Sequence, residues 1–169
     1  MERHLVIQES KLKKSSYFDT FDGPGWPEPA QIQRFFIAPK GQEWSYKGSN
    51  DSWGLDVQGL FGTDGLPRAD RVNVHLFMTG NPEHGVTLQY SKWDGRTKKK
   101  DTYHSKGDLI RLREFVRSLH GTPLSVGLFI PFAEAWQAVK EFIETDGELP
   151  KNIAWIANSD LPLETFPDP

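Results

Sequence analysis

Hydrophobic positions recur along this chain with two different periods. From Val72 to Met78 they fall on every second residue (Val72, Val74, Leu76, Met78), with Asn73 and His75 between them. Alternate side chains of an extended strand point to opposite faces, so this run predicts a strand with one apolar face. Val86, Leu88 and Tyr90 repeat the alternation, and the loop from Thr79 to Gly85 is too long for a two-residue hairpin turn. Looser alternation over 51–60, through Trp53, Leu55, Val57 and Leu60, predicts another strand. Residues 4–8 and 100–104 are shorter candidates. Residues 31–38 suit either a strand or one helical turn leading into a strand. The dense apolar run 124–132, broken by Gly127 and closed near Pro131, predicts a buried strand, and 153–157 a last short one.

The period then changes to that of a helix. Leu109, Leu112, Val116 and Leu119 share one helical face with Phe115 at its margin, Asp108 as N-cap and Gly121 as stop. Phe132, Ala135, Trp136, Val139, Phe142 and Ile143 follow the i, i+3, i+4, i+7 rule, predicting a second helix over about 132–145. Gly147 is placed to take the left-handed stop after it. The stretch from Asp22 to Pro27 breaks regular structure, because proline removes a donor and glycine loosens the backbone. Together these elements predict an α+β fold: a mostly antiparallel sheet with two amphipathic helices packed on one face. A parallel strand pair near the C-terminus is compatible with the pattern. No repeat or linker divides the chain, so 1–169 is expected to be a single domain.

Composition narrows the function classes. At 169 residues with 37% apolar and 12% aromatic residues, the chain can bury a substantial core. Cysteine is absent, which excludes a disulfide framework, a thiolate zinc site, an iron–sulfur cluster and a cysteine nucleophile. No apolar run approaches the roughly 18 residues of a membrane helix, and the opening MERHLVIQES lacks a signal-type apolar stretch. The expectation is a cytoplasmic chain with no membrane contact. The net charge of −3 argues against a general nucleic-acid coat, but the sign is unevenly placed. Residues 92–117 sum to +5 and residues 141–169 to −6.

Candidate chemistry is sparse. The histidines (His4, His75, His84, His104, His120) fall in no catalytic or metal-binding motif, and Asp51 with Asp56 is too unspecific a pair to imply a metal. The glycines of 59–65 match neither the phosphate-binding nor the dinucleotide pattern, and no serine sits in a nucleophile elbow. No cofactor is expected. The basic segment 92–117, interleaved with Trp93 and Tyr103 and preceded by Tyr90, leaves a small nucleic-acid-binding module as an alternative. A hydrolase built on His75 or His104 is a third reading with no motif behind it.

The closing region carries the one family likeness. Its features are the alanine-rich amphipathic helix through Trp136 and Phe142, then Gly147, Pro150, Ile153 and Trp155. This stretch of about 25 residues, 131–155, resembles the closing segment of the immunity protein 1 family of bacterial polymorphic and contact-dependent toxin systems. Tyr90 to Trp93 is similar in kind, and residues 1–70 carry no such likeness. Trp136, Phe142, Gly147 and Trp155 have a sufficient structural role in core and cap. The resemblance implies a non-enzymatic protein that neutralises a cognate toxin C-terminal domain by covering its active site or substrate groove; the acidic 141–169 region suits a basic partner such as a nuclease or deaminase. Candidate toxin contacts are Trp26 and Trp53, taken as loop aromatics, with the acids Asp56, Glu141, Glu144, Asp146, Glu148 and Asp160.

Overall fold

The computed structural model describes residues 12–18, 21–44 and 51–169. The strand predicted over 4–8 lies outside the described residues. Two helices stand among them, α1 (Pro29–Phe36) and α2 (Phe132–Glu144). The strands are β1 (Lys13–Ser16), β2 (Gly23–Pro24), β3 (Ser52–Leu60), β4 (Val72–Asn81), β5 (Gly85–Asp94) and β6 (Lys99–Ser105). They continue as β7 (Phe115–Arg117), β8 (Pro123–Ser125), β9 (Phe129–Ile130) and β10 (Trp155–Ala157). The main sheet runs β10-β6-β5-β4-β3-β1-β2, with β9 paired to β5, and every pairing is antiparallel. The parallel pair admitted by the sequence does not form. Strands β7 and β8 make a separate hairpin.

The register explains the core. Leu55, Leu76 and Tyr90 lie side by side across β3, β4 and β5, as do Trp53, Met78 and Leu88 one step along. All six are at most 3% exposed. Helix α2 covers this face with Ala135, Trp136, Ala138, Val139 and Phe142, and α1 adds Ile32 and Phe36. Phe36 meets Trp136 at 5.4 Å between ring centroids, joining the two helices. Full burial of each large apolar side chain is worth about 1.5–3 kcal/mol, so this face holds most of the stabilising surface. Trp44 stacks on Trp53 at 4.4 Å, in space that only a glycine at position 80 leaves open: a Cβ there would lie 2.4 Å from the Trp44 ring.

The fold class is as the sequence predicts, but its first helix is not. The 31–38 segment gives no strand: its residues 31–36 belong to α1, because Pro29 opens the helix and the Gln31 side chain accepts from the Glu28 backbone N–H at 2.8 Å. Ile32 and Phe36, four apart, then fall on one buried face. The helix predicted over 109–119 is absent. The Asp108 carboxylate does accept the Ile110 N–H at 3.2 Å, but only one tight turn, Leu109–Arg111, follows it. That turn packs so closely on Gly127 that a Cβ there would lie 2.9 Å from the Leu112 nitrogen. Beyond it the chain extends into the β7–β8 hairpin, and Gly121, at φ +84°, turns the hairpin instead of stopping a helix. The predicted helical stripe is therefore split up: Leu109, Leu112 and Val116 are half-buried, while Leu119 is 61% exposed. The run 124–132 divides into β8, a tight turn at Val126–Leu128, and β9.

The exit from α2 also differs in detail. The Gly147 N–H reaches back to the Phe142 carbonyl at 2.9 Å and the Asp146 N–H to that of Ile143 at 3.4 Å, the paired bonds of a Schellman cap. Asp146, at φ +57°, holds the left-handed position assigned to Gly147. Gly147 follows at φ +103°, pressed so near Val57 that a Cβ would meet its Cγ1 at 2.8 Å. The sheet's borders are short: β10 pairs only Tyr103, His104 and Ser105 of β6, and β2 has two residues ending in Pro24.

Candidate functional site

The helices cover one face of the sheet; the other is open to solvent except around His104, which is buried beside Phe166. The alternation that buries Val72, Val74, Leu76 and Met78 turns Asn73, His75 and Phe77 outward on β4. Asp56 and Gln58 on β3, Gln89, Ser91 and Trp93 on β5, and Lys100 and His104 on β6 join them by register. Two depressions cross this face. One of about 680 Å³ is lined by Asp56, Arg68, Asn73, His75, Trp93 and Lys100 among others. A second of about 240 Å³ runs between Phe77, Leu124, His104 and Phe166. Gln89 lines both, so the two depressions adjoin; together they make up a trough region with a polar and an apolar end.

At the polar end Asp56 accepts a short hydrogen bond from His75 Nδ1. Gly54 makes room beside them, since a Cβ there would meet His75 Cε1 and Tyr17 Cδ2 at 3.3 Å each. Partial burial by itself pushes the Asp56 carboxyl up. The His75 bond, the Tyr17 bond and the positive Arg68 outweigh it and hold the carboxyl below its ordinary value. Tyr17 is raised in turn, chiefly because its hydroxyl bonds to the Asp56 carboxylate. The short turn Arg68–Asp70 walls this end, pinned by Trp93 Nε1 donating to the Ala69 carbonyl at 2.9 Å and Asn73 Nδ2 donating to the Arg68 carbonyl at 3.2 Å. At the apolar end Phe166 from the C-terminal segment lies 5.0 Å from the His104 ring. Burial pushes His104 below its ordinary value; its Nε2 lies 2.9 Å from Asn158 Oδ1, a bond that opposes the shift. Among the described residues no group of three His, Asp or Glu side chains is placed to hold a metal ion.

A family model described as Immunity protein Imm1 matches residues 15–157. The chain belongs to the Imm1 family. The match reaches far beyond the closing 131–155 segment and takes in most of the first 70 residues, where the sequence shows no likeness by eye. No curated protein and no solved structure matches the chain.

In this Imm1 protein the residues singled out from sequence do not form one surface. Trp53 is a correction: it lies within β3 at 1% exposure, ringed by Phe18, Phe35 and Trp44, and is a core residue rather than a loop anchor. Trp26 is half-buried, packed 5.1 Å from Phe142, and its Nε1 donates to the Asp56 backbone carbonyl at 2.8 Å. Glu141, Glu144, Asp146 and Glu148 do gather, along the end of α2 and its cap. Two of them have partners: Asp146 pairs with Lys14 at 2.6 Å and Glu141 accepts from the Lys151 N–H at 2.7 Å. Asp160 stands apart, in the short turn Asn158–Asp160 beside β6. Only Asp56 belongs to the trough.

The basic segment 92–117 is dispersed. Arg96 pairs with Asp94, Lys98 with Asp70 and Arg111 with Glu114, while Lys92 and Arg96 both lie over the exposed Phe61 ring. His75 and His104 share the open face but sit on β4 and β6 with β5 between them. Sequence reasoning missed Tyr17, Arg68, Phe77, Gln89 and Phe166. The β4 alternation did carry a signal for Phe77, which follows Asn73 and His75 in the outward set.

Proposed function

We propose that this Imm1 protein protects by binding a cognate bacterial toxin domain one-to-one and covering its active site or substrate groove, making and breaking no bonds itself. The observation that supports this is the family match over 15–157. In this reading the partner is met in the cytoplasm; no helix among the described residues is long and apolar enough to cross a membrane. A free toxin molecule turns over many times, so protection requires tight binding: a nanomolar Kd corresponds to about −12 kcal/mol. The acidic stretch Glu141 to Glu148 suits a basic partner, such as a nuclease or nucleic-acid deaminase, and acts at long range by speeding encounter.

The test is titration of the purified protein against the toxin domain encoded by the neighbouring gene. Activity is expected to fall to zero at about one equivalent. Inhibition that needs a large molar excess, or none at all, rejects the proposal. Reversing Glu141 and Glu144 to Lys is expected to slow association at low salt, with the difference shrinking as salt rises.

A further inference from the structure

The surface used for that binding is a separate question, and the charges of the sheet's open face bear on it. Among the described residues five cations have an anionic partner within the chain: Lys14, Arg96, Lys98, Arg111 and Arg113. Arg68 and Lys100, at the polar end of the trough, form no ion pair among the described residues. The one carboxylate in that end, Asp56, is already engaged by His75 and Tyr17. The polar end therefore offers two cations without an ion-pair partner beside a carboxylate whose hydrogen bonding is taken up by His75 and Tyr17. Asn73 adds an acceptor: its Oδ1 is shielded from solvent and has no hydrogen-bond partner, although its Nδ2 is bonded. A shielded acceptor left unpaired costs about 1–3 kcal/mol, which a donor brought by a partner would relieve. At the other end Phe77 and Phe166 are 39% and 47% exposed, an apolar footing beside the charged one.

We infer that the trough grips a carboxylate-bearing loop of the toxin domain, its acidic side chain between Arg68 and Lys100 and an adjoining apolar residue against Phe77 and Phe166. This rests on the function proposed above. It places the gripping surface on the open sheet face, opposite the helices and away from the acidic stretch after α2. A basic toxin is compatible with it, because acid–base chemistry on a substrate commonly uses a carboxylate that the inhibitor must cover.

The experiment is calorimetric titration of the toxin domain into four proteins: wild type, R68E/K100E, R68Q/K100Q and E141K/E144K. Arg68 and Lys100 are exposed, so thermal unfolding of the variants is expected to match wild type. Reversal is expected to weaken binding about a hundredfold and neutralisation about tenfold. The E141K/E144K protein is expected to stay within about threefold of wild type at physiological salt. Equal affinity of wild type and R68E/K100E overturns the trough assignment while leaving toxin neutralisation intact. Failure of wild type to bind overturns the function, and the assignment with it. Two further measurements use the protein alone. If the double reversal dissolves a self-associated state seen by sedimentation, the trough's occupant is a second copy. If it abolishes binding to a single-stranded oligonucleotide at low salt, the occupant is nucleic acid. Either result rejects the toxin loop.

Discussion

The two faces of the central sheet are made by the same strands and differ in almost everything else. On the helix side, Leu55, Val57, Leu76, Met78 and Leu88 are at most 0% exposed, interlocked with α2 and α1. On the open side, neighbours one residue away in sequence are Asp56, Gln58, His75, Phe77 and Gln89, partly exposed and mostly polar. The period of two lets each strand carry a stabilising residue and a recognition residue in turn. The difference implies that sequence on the open side is free to change with the partner while the helix side keeps the fold.

The sharpest way to break that comparison is to damage the covered face. Phe142→Ala removes a fully buried ring packed on Trp26 and Tyr90, and is expected to cost about 3–5 kcal/mol in denaturant unfolding. A cost under about 1 kcal/mol would mean that α2 is not the lid of the core. Gly147→Ala, which sets a Cβ against Val57 in a positive-φ backbone, is expected to cost about 1–3 kcal/mol by the same measurement. On the open face, Phe77→Ala is expected to cost about 1 kcal/mol or less and to lower toxin affinity clearly in a binding assay. Loss of stability comparable to Phe142→Ala would erase the division of labour.

The smallest effects are expected from acid, and the two groups concerned both sit on the open face. Asp56 is held below the ordinary carboxylate value in the fold. Its contribution is therefore present above the unfolded carboxylate pKa and lost as pH falls through the lower folded value. Neutral His104 is favoured by burial, so stability is lost as pH falls below the ordinary histidine value of 6.5 and on through its depressed folded value. Thermal melts from pH 7 down to pH 3 are expected to show both losses. His104→Gln should remove the upper one and Asp56→Asn the lower. A melting temperature flat across that range would contradict both assignments.

Much of the fold was legible because long strands repeat their period: β4, β5 and α2 fall close to where alternation and the i, i+3, i+4 rule place them. The 109–119 stripe misled because helical spacing is only a local preference. Packing of the 108–112 turn on Gly127 and the pairing of β7 with β8 override it. Trp53 misled in the opposite sense. It stands in the strand predicted over 51–60, but nothing in that alternation shows that Phe18, Phe35 and Trp44 arrive from elsewhere in the chain to bury it. The trough was nearly invisible in sequence, because Tyr17, Arg68, Lys100 and Phe166 come from four separate segments that only the register and the returning C-terminal segment bring to one face. Asp56 was noticed as an acid, but its partners could not be.

The abbreviated borders of the sheet have a colloidal consequence. Beyond the reach of β10, the outer margin of β6 is Lys99, Lys100, Asp101 and Thr102, and its first three residues are exposed charges. The opposite margin ends on Pro24, which has no N–H to offer. An incoming strand would find at most a few backbone groups to bond, and would bury lysine ammonium groups in doing so. These described margins therefore offer little template to fibrils and strand-exchanged aggregates that grow from flat, apolar sheet edges.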